Sequence, residues 1–187
     1  TFGNLHYGTR GVVAGGFESD VVDTMEYFTI SSTGNATDFG NLSAARYGVE
    51  GVSNVSRGLF AGGVTPTAFF NTMEYITVGS TGEATDFGDL TTTLNGPAGA
   101  SNGYRALFAG GQDTQGSSQV VDISNYAEIA TTGNAIEYGS LTQARGSFQA
   151  VSNNSRGVFI AGYTNDVVTA GTYENTIDYY TISSSAS

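Results

Sequence analysis

Short apolar segments alternate with polar, glycine-punctuated segments along the whole chain. Segments such as 57–63 (RGLFAGG) and 72–78 (TMEYITV) are rich in β-branched and aromatic residues and are bounded by Gly, Ser and Thr, which is typical of β-strands. In 72–78 both alternating faces carry apolar side chains, which indicates a sheet covered on both sides. No segment has a helical period, so the pattern predicts an all-β fold.

The same series of segments recurs four times. Each copy begins its first clear strand with an arginine and ends it near a glycine pair, and these arginines lie 47 to 51 residues apart: Arg10, Arg57, Arg105 and Arg156. The next strand of each copy carries a tyrosine: Tyr27, Tyr75, Tyr126 and Tyr179. In three copies a turn and a further aromatic-glycine pair follow, at Phe39, Phe87 and Tyr138. A repeat of this length is the signature of a stacked or radial repeat protein.

A fourth segment in each repeat consists mostly of small residues, as in 48–54 (GVEGVSN). Small side chains suit the crowded centre of a radial array, so we expect this segment to be the innermost strand and 36–40 (ATDFG) the outermost. Four strands in about 48 residues predict a β-propeller of four four-stranded blades. The chain is then one repeat domain, 1–187, with units at approximately 1–42, 43–90, 91–141 and 142–187.

The two ends of the chain each lack about one strand of the repeat. We expect the ring to be closed by pairing of the N- and C-terminal segments, with 1–5 (TFGNL) completing the last blade as its outer strand. Residues 1–5 could instead be an inner strand of the first blade. The alternative architecture is an open array cut from a longer chain.

The order of arginine, glycine pair, tyrosine and later aromatic resembles Kelch repeats, although the chain has no tryptophan. Phrases such as TGNATDFG (33–40) and SRGLFAGG (56–63) are similar to repeats of tailed-phage structural proteins, especially tail-fibre-like proteins of marine phages, and this similarity covers nearly the whole chain. The resemblance implies a non-enzymatic structural or adhesion module located on a virion or at the cell surface. Its implied partners are other virion or surface proteins or a host glycan.

Composition and charge exclude several other functions. The formal net charge is −11 and there is no lysine, which disfavours nucleic acids and anionic lipid surfaces. No apolar run is long enough to insert into a membrane. With no cysteine and one histidine, His6, the chain cannot form the usual zinc sites by itself, and no nucleophile motif accompanies His6. A glycan hydrolase, the third hypothesis, would need two facing carboxylates, and no pair stands out.

The regularly spaced charges are interpreted as structural. We expect the four leading arginines and the four tyrosines to be repeat anchors, with each arginine bonding to backbone carbonyls or to a carboxylate between blades. The polar residues that precede the tyrosines are the predicted carboxylate or amide partners: Glu26, Glu74, Asn125 and Asp178. Arg46 and Arg145 occupy a second repeat position, where the remaining copy has Leu94.

The loops between the glycine pairs and the tyrosines vary in length and chemistry, as binding loops on a rigid scaffold do. The candidate ligand- or partner-binding residues in these loops are Phe17, Asp20, Phe69, Phe70, Gln112, Gln115, Tyr163 and Tyr173. Their aromatic rings suit stacking on sugars or a protein interface, or could fold back against their own sheets. Glu18, Asp20 and Asp23 are close enough in sequence to suggest a calcium site, although a solvated acidic loop is the favoured interpretation. A homo-oligomer, and a bacterial secreted or cell-surface assembly protein, are the alternatives to a phage adhesin.

Overall fold

The computed structural model describes residues 8–113, 120–164 and 171–182. These residues form sixteen β-strands and no helix, so the all-β prediction is confirmed. Sheet I contains β1 (Arg10–Phe17), β2 (Val21–Thr29) and β3 (Thr37–Asn41). Sheet II contains β4 (Glu50–Ser53), β5 (Arg57–Ala61), β6 (Thr72–Thr77) and β7 (Thr85–Asp89). Sheet III contains β8 (Ala98–Ser101), β9 (Arg105–Ala109), β10 (Ile123–Glu128) and β11 (Ile136–Ser140).

Sheet IV contains β12 (Gln149–Ser152), β13 (Arg156–Ile160) and β16 (Ile177–Thr181), and a separate ribbon pairs β14 (Tyr163–Thr164) with β15 (Thr172–Tyr173). All strand pairs are antiparallel, and strands follow one another in chain order within sheets II and III. When the sheets are aligned on their leading arginines, sheet I has no strand equivalent to β4 within the described residues. Sheet IV likewise has no described strand equivalent to β7. Residues 1–5, and with them the predicted pairing of the chain ends, lie outside the described residues.

Successive sheets pack face to face around three apolar clusters. We call the side of a sheet that contacts the next sheet in chain order its front face, and the opposite side its back face. The front face of sheet II packs on the back face of sheet III through Leu59, Met73, Phe87, Phe108 and Ile129. Equivalent positions join sheets I and II and sheets III and IV. The prediction that residues 72–78 are covered on both sides is confirmed.

The repeated Thr-Gly phrase connects neighbouring sheets by backbone hydrogen bonds. Gly82 N donates to the Phe39 carbonyl at 2.7 Å, and Gly133 N donates to the Phe87 carbonyl at the same distance. A Cβ added to Gly40, whose φ is 140°, would lie 2.3 Å from the Gly82 carbonyl oxygen. The glycine after the outer aromatic is therefore required because the turn of the next sheet lies directly against it.

The small-residue strands lie together, since β8 contacts both β4 and β12. Glycine, alanine and serine dominate these strands, and a Cβ added to Gly99 would lie 2.6 Å from a methyl carbon of Val52. We call β4, β8 and β12 the hub. The predicted order, with the small-residue strand at one edge of the sheet and the aromatic-glycine strand at the other, matches sheets II and III.

The leading arginines lie over the anchor tyrosines on the front face of each sheet. The distance from the guanidinium carbon to the ring centre ranges from 4.4 to 4.7 Å in the four copies. Arg10 Nη1 also donates to the Val78 carbonyl at 3.2 Å, and Arg57 Nη1 donates to the Ile129 carbonyl at 3.1 Å. Both bonds run to the next sheet, so these arginines join sheets as well as strands.

The predicted pairing of these arginines with the residue before each tyrosine is wrong. Glu74 pairs with Arg46 and Asp178 with Arg145, while Arg105 pairs with Glu128 at 2.7 Å. The reason is the alternation of side chains along a strand. The leading arginine shares the front face with the tyrosine, whereas the residue before the tyrosine points to the back face.

Candidate binding surface formed by the variable loops

The variable loops all lie at one end of their sheets. Each loop joins the second and third strands of the four-strand pattern, and the connectors from one sheet to the next, 42–49, 90–97 and 141–148, begin at the same end. The connectors pair directly with the loops at Tyr47–Val64, Asn95–Gln112 and Gly146–Tyr163. We call the described residues of these loops and connectors the loop surface. Its backbone is fixed by the scaffold, as binding loops on a rigid framework require.

Two aromatic pairs occupy the two ends of the loop surface. Phe17, at the end of β1, contacts Tyr47 edge-on with ring centres 5.8 Å apart. Tyr163 and Tyr173 face each other across the β14–β15 ribbon, with ring centres 5.3 Å apart. Phe17 is 60% exposed and Tyr173 is 90% exposed. These rings offer apolar area to a ligand at little further cost in conformational freedom.

The other predicted loop residues have less accessible positions. Phe70 is half-buried, with the Arg46 guanidinium carbon 5.2 Å from its ring centre. Phe69 is half-buried beside it. Gln112 Oε1 accepts a hydrogen bond from Asn95 Nδ2 at 3.0 Å, which fixes the connector. Gln115 lies outside the described residues. For Phe70, packing against the buried Arg46 side chain is a better description than exposure to a ligand.

The acidic side chains of the first variable loop do not form a cluster of three that could hold a metal ion. Asp20 is exposed and its Oδ1 accepts a hydrogen bond from Val21 N at 2.8 Å, which closes the turn between β1 and β2. Among residues 8–113, 120–164 and 171–182, no three carboxylate or histidine side chains lie close enough to hold a metal ion. The calcium interpretation of Glu18, Asp20 and Asp23 therefore has no support from the geometry.

Two ion pairs join buried arginines of the connectors to carboxylates on the sheets. Arg46 is fully buried and its Nη2 contacts Glu74 Oε2, while Glu74 Oε1 accepts a hydrogen bond from Ser43 N. Arg145 Nη1 lies 2.7 Å from Asp178 Oδ2, although the angle makes this an ion pair rather than an aligned hydrogen bond. These pairs connect sheet I to sheet II and sheet III to sheet IV.

The interface between sheets II and III replaces both members of the ion pair. Leu94 stands in the arginine position and Asn125 in the carboxylate position, and both are fully buried. Asn125 Oδ1 accepts a hydrogen bond from Thr91 N at 3.0 Å, as Glu74 does from Ser43. At the three interfaces between sheets, the carboxylate is present at the two where an arginine faces it and absent at the third, which indicates that the two positions depend on each other. The remaining copy of the position, Glu26 on sheet I, is exposed.

A different group of residues surrounds the hub, at the opposite end from the loops. A cavity of about 670 Å³ is lined there by serine and asparagine side chains and small residues of the hub and the turn after it, including Ser53, Ser101 and Asn153. Next to it, Glu50 accepts a hydrogen bond from Gly99 N at 3.0 Å. Burial raises the pKa of the Glu50 carboxyl to about 7, against the opposing effect of this bond. No second carboxylate is paired with it among the described residues, as a glycosidase would require.

The burial of Glu50 predicts a pH-dependent stability. The folded protein favours the neutral carboxyl, so this group's contribution to stability is fully present below about pH 4.5 and is lost as the pH rises through about 7. Glu50→Gln keeps the acceptor for Gly99 N and removes the charge. We expect it to raise the free energy of unfolding by on the order of 2 kcal/mol at about pH 8 and to change it little at about pH 4. Urea denaturation at the two pH values measures this.

The control for that experiment is Glu137→Gln, because Glu137 is exposed on β11 and should show no such difference. Equal stabilisation by Glu50→Gln at both pH values would contradict the assignment of a raised pKa to the Glu50 carboxyl.

Sequence reasoning missed Tyr47 as part of the loop surface. Tyr47 lies in a connector rather than in a loop of variable length, and only the pairing of Tyr47 with Val64 brings it beside Phe17. Its position directly after Arg46, in a repeated segment, was the available signal.

Within the described part of the chain, no helix is long and apolar enough to cross a membrane.

No protein-family model matches the chain, and no curated protein matches it either.

Proposed function

We propose that the chain is a non-enzymatic binding module built on propeller-like blades, each of the four sheets being one Kelch-like blade. It works on a phage virion as a tail-fibre-type or other surface component, and it binds a host-surface glycan or a neighbouring virion protein through the loop surface. The support for blades is the repetition of strand order and of face-to-face packing in successive sheets. The contacts among the three hub strands also favour a radial arrangement.

One observation carries the binding role. Exposed aromatic rings, Phe17 and Tyr173, stand on the loops that vary, while the strands beneath them hardly change from one repeat to the next. Exposed aromatic side chains on otherwise polar loops are typical of binding surfaces.

If the loop surface binds the ligand, truncating its exposed aromatic side chains should weaken binding. Tyr173→Ala and Phe17→Ala should each weaken binding to the ligand by at least about tenfold, because truncating an aromatic anchor commonly costs more than 1 kcal/mol. A glycan array made from host surface polysaccharide, together with purified virion proteins, provides the probes. Binding is measured for the wild-type chain and for each variant at matched concentration.

Tyr104→Ala is the matched control. Tyr104 is also a highly exposed tyrosine, 70%, but it lies in the turn between β8 and β9, away from the loops. A wild-type chain that binds, with equal affinity in the Tyr173→Ala and Phe17→Ala variants, would contradict the loop surface as the site. A loss of binding affinity in the Tyr104→Ala variant alone would indicate a binding site at the end of the sheets opposite the loops.

A bacterial secreted or cell-surface assembly protein is the second candidate. The observation that favours it is the exposure of apolar side chains on the outer faces of sheets I and IV. A module of this type would use sheet faces, rather than loops, for its main contacts. The loop-truncation variants above would leave such contacts unchanged.

A further inference from the structure

The first and last sheets each have one uncovered apolar face. On the back face of sheet I, Val13 is 53% exposed and Phe28 43% exposed, whereas their equivalents in sheet II, Phe60 and Ile76, are buried. On the front face of sheet IV, Ile177 is 63% exposed, whereas its equivalent in sheet II, Met73, is fully buried. The side chains at these positions are therefore apolar in the end sheets as well as in sheet II. They differ in burial, because another sheet covers them only in sheet II.

These two faces are the two halves of the interface that the chain already forms three times. Every interior contact joins a front face to a back face. The front face of sheet IV therefore has the kind of surface that fits the back face of sheet I. Both are exposed in the described residues, so they do not cover each other within one chain.

Polar groups at the two faces also correspond. Arg156, on the front face of sheet IV, lies over Tyr179, and its guanidinium donates no hydrogen bond to another described residue. Its equivalents Arg10 and Arg57 donate to the carbonyls of Val78 and Ile129 in the following sheet. In sheet I the position equivalent to these two residues is Ile30, at the end of the uncovered back face.

We propose that the front face of sheet IV in one copy of the chain binds the back face of sheet I in a second copy. The contact repeats the interior packing, with Ile177 and Tyr179 against Val13 and Phe28 and with Arg156 donating to the Ile30 carbonyl. It is a head-to-tail interface, in which the two copies contribute different surfaces. Such an interface closes into a ring or continues as a filament, depending on the angle between copies. It is independent of ligand binding by the loop surface.

Self-association is measured by light scattering during size-exclusion chromatography, over the micromolar range. The buffer contains about 0.3 M salt to screen the repulsion between acidic copies. We expect the wild-type mass to rise to at least about twice that of one chain. Ile177→Glu blocks the front face of sheet IV, Ile30→Glu blocks the back face of sheet I, and each variant alone should remain a single chain. Val55→Glu is the control, because Val55 is equally exposed but lies in the turn between β4 and β5.

Mixing the two blocked variants separates this interface from other kinds of contact. Ile30→Glu keeps an intact sheet IV face and Ile177→Glu keeps an intact sheet I face, so an equimolar mixture should form a one-to-one complex and stop there. A wild-type chain that stays monomeric would overturn the proposal and leave those faces to another protein or to further repeats of a longer chain. Association of either blocked variant with itself would overturn it too, and so would a mixture that gives no complex. Circular dichroism equal to that of the wild type confirms that each variant is folded.

Discussion

Replacing Glu74 with asparagine is expected to destabilise the protein by about 3–5 kcal/mol. Glu74 and Arg46 are both buried to within 1% of complete burial and face each other between sheets I and II. Without the carboxylate, the Arg46 guanidinium remains buried with no counter-ion, and two of its nitrogens already lack a hydrogen-bond partner in the protein. The cost comes from this uncompensated charge rather than from the loss of one hydrogen bond.

The repeat itself supplies the compensating change. The interface between sheets II and III has Leu94 and Asn125 at the same two positions and is just as completely buried. Adding Arg46→Leu to Glu74→Asn should therefore recover most of the loss, to within about 1 kcal/mol of the wild type, since a buried ion pair is often replaceable by well-packed groups. The asparagine would accept from Ser43 N as Asn125 accepts from Thr91 N.

Urea denaturation gives the free energy of unfolding of the wild type, both single variants and the double variant, which together form a double-mutant cycle. A double variant as unstable as the sum of the two single variants would contradict the dependence of one position on the other. A single Glu74→Asn variant as stable as the wild type would show that the charge on Arg46 is not confined to the interface.

Gly62→Ala is expected to cost about 3 kcal/mol. Gly62 has a φ of 70°, which alanine adopts only under strain, and an added Cβ would lie 2.3 Å from the Leu94 carbonyl oxygen. That connector cannot move away freely, because Gly63 N donates to the same carbonyl at 2.8 Å. Gly15 and Gly110 face the carbonyls of Arg46 and Arg145 in the same way.

The chain also provides the matched control. Sheet IV has Ala161 in place of the first glycine, with a φ of 62°, and the described residues contain no connector following sheet IV. Ala161→Gly should therefore be neutral or stabilise the protein by up to about 1 kcal/mol, through relief of backbone strain. Thermal unfolding of both variants tests this difference. Equal destabilisation by the two substitutions would contradict the close approach of the connector to Gly62.

Much of the scaffold can be predicted from the sequence, because the same arginine, glycine and aromatic positions recur in successive repeats. The period, the strand count in the interior repeats, the small-residue strand at one edge and the location of the variable loops all follow from aligned glycines and aromatics. The repeat spacing predicts Arg57 as the partner of Glu74. The actual partner is Arg46, which lies on the connector before β4. Alternation along β6 places Glu74 opposite to Tyr75, and this argument was available from the sequence.

The candidate site was less predictable than the scaffold. Loop length indicated which segments vary, but not which rings point outward: Phe70 packs beneath Arg46, while Tyr173 is almost fully exposed. Side-chain direction in a loop depends on contacts with neighbouring segments, such as Tyr47 with Phe17, that no local pattern encodes. Pairing of the two chain ends involves residues outside the described part of the chain, so it stays a prediction, whereas the described faces of sheets I and IV do not pack against each other.

A crystal structure of the full chain is the measurement that decides whether one sheet is repeated front to back with all variable loops at one end. We expect three interfaces of the same construction, with Arg46 facing Glu74, Leu94 facing Asn125 and Arg145 facing Asp178, and a single loop surface that carries Phe17 and Tyr173. Glycine pairs at unrelated places in the sheets, or variable loops divided between opposite ends, would contradict it.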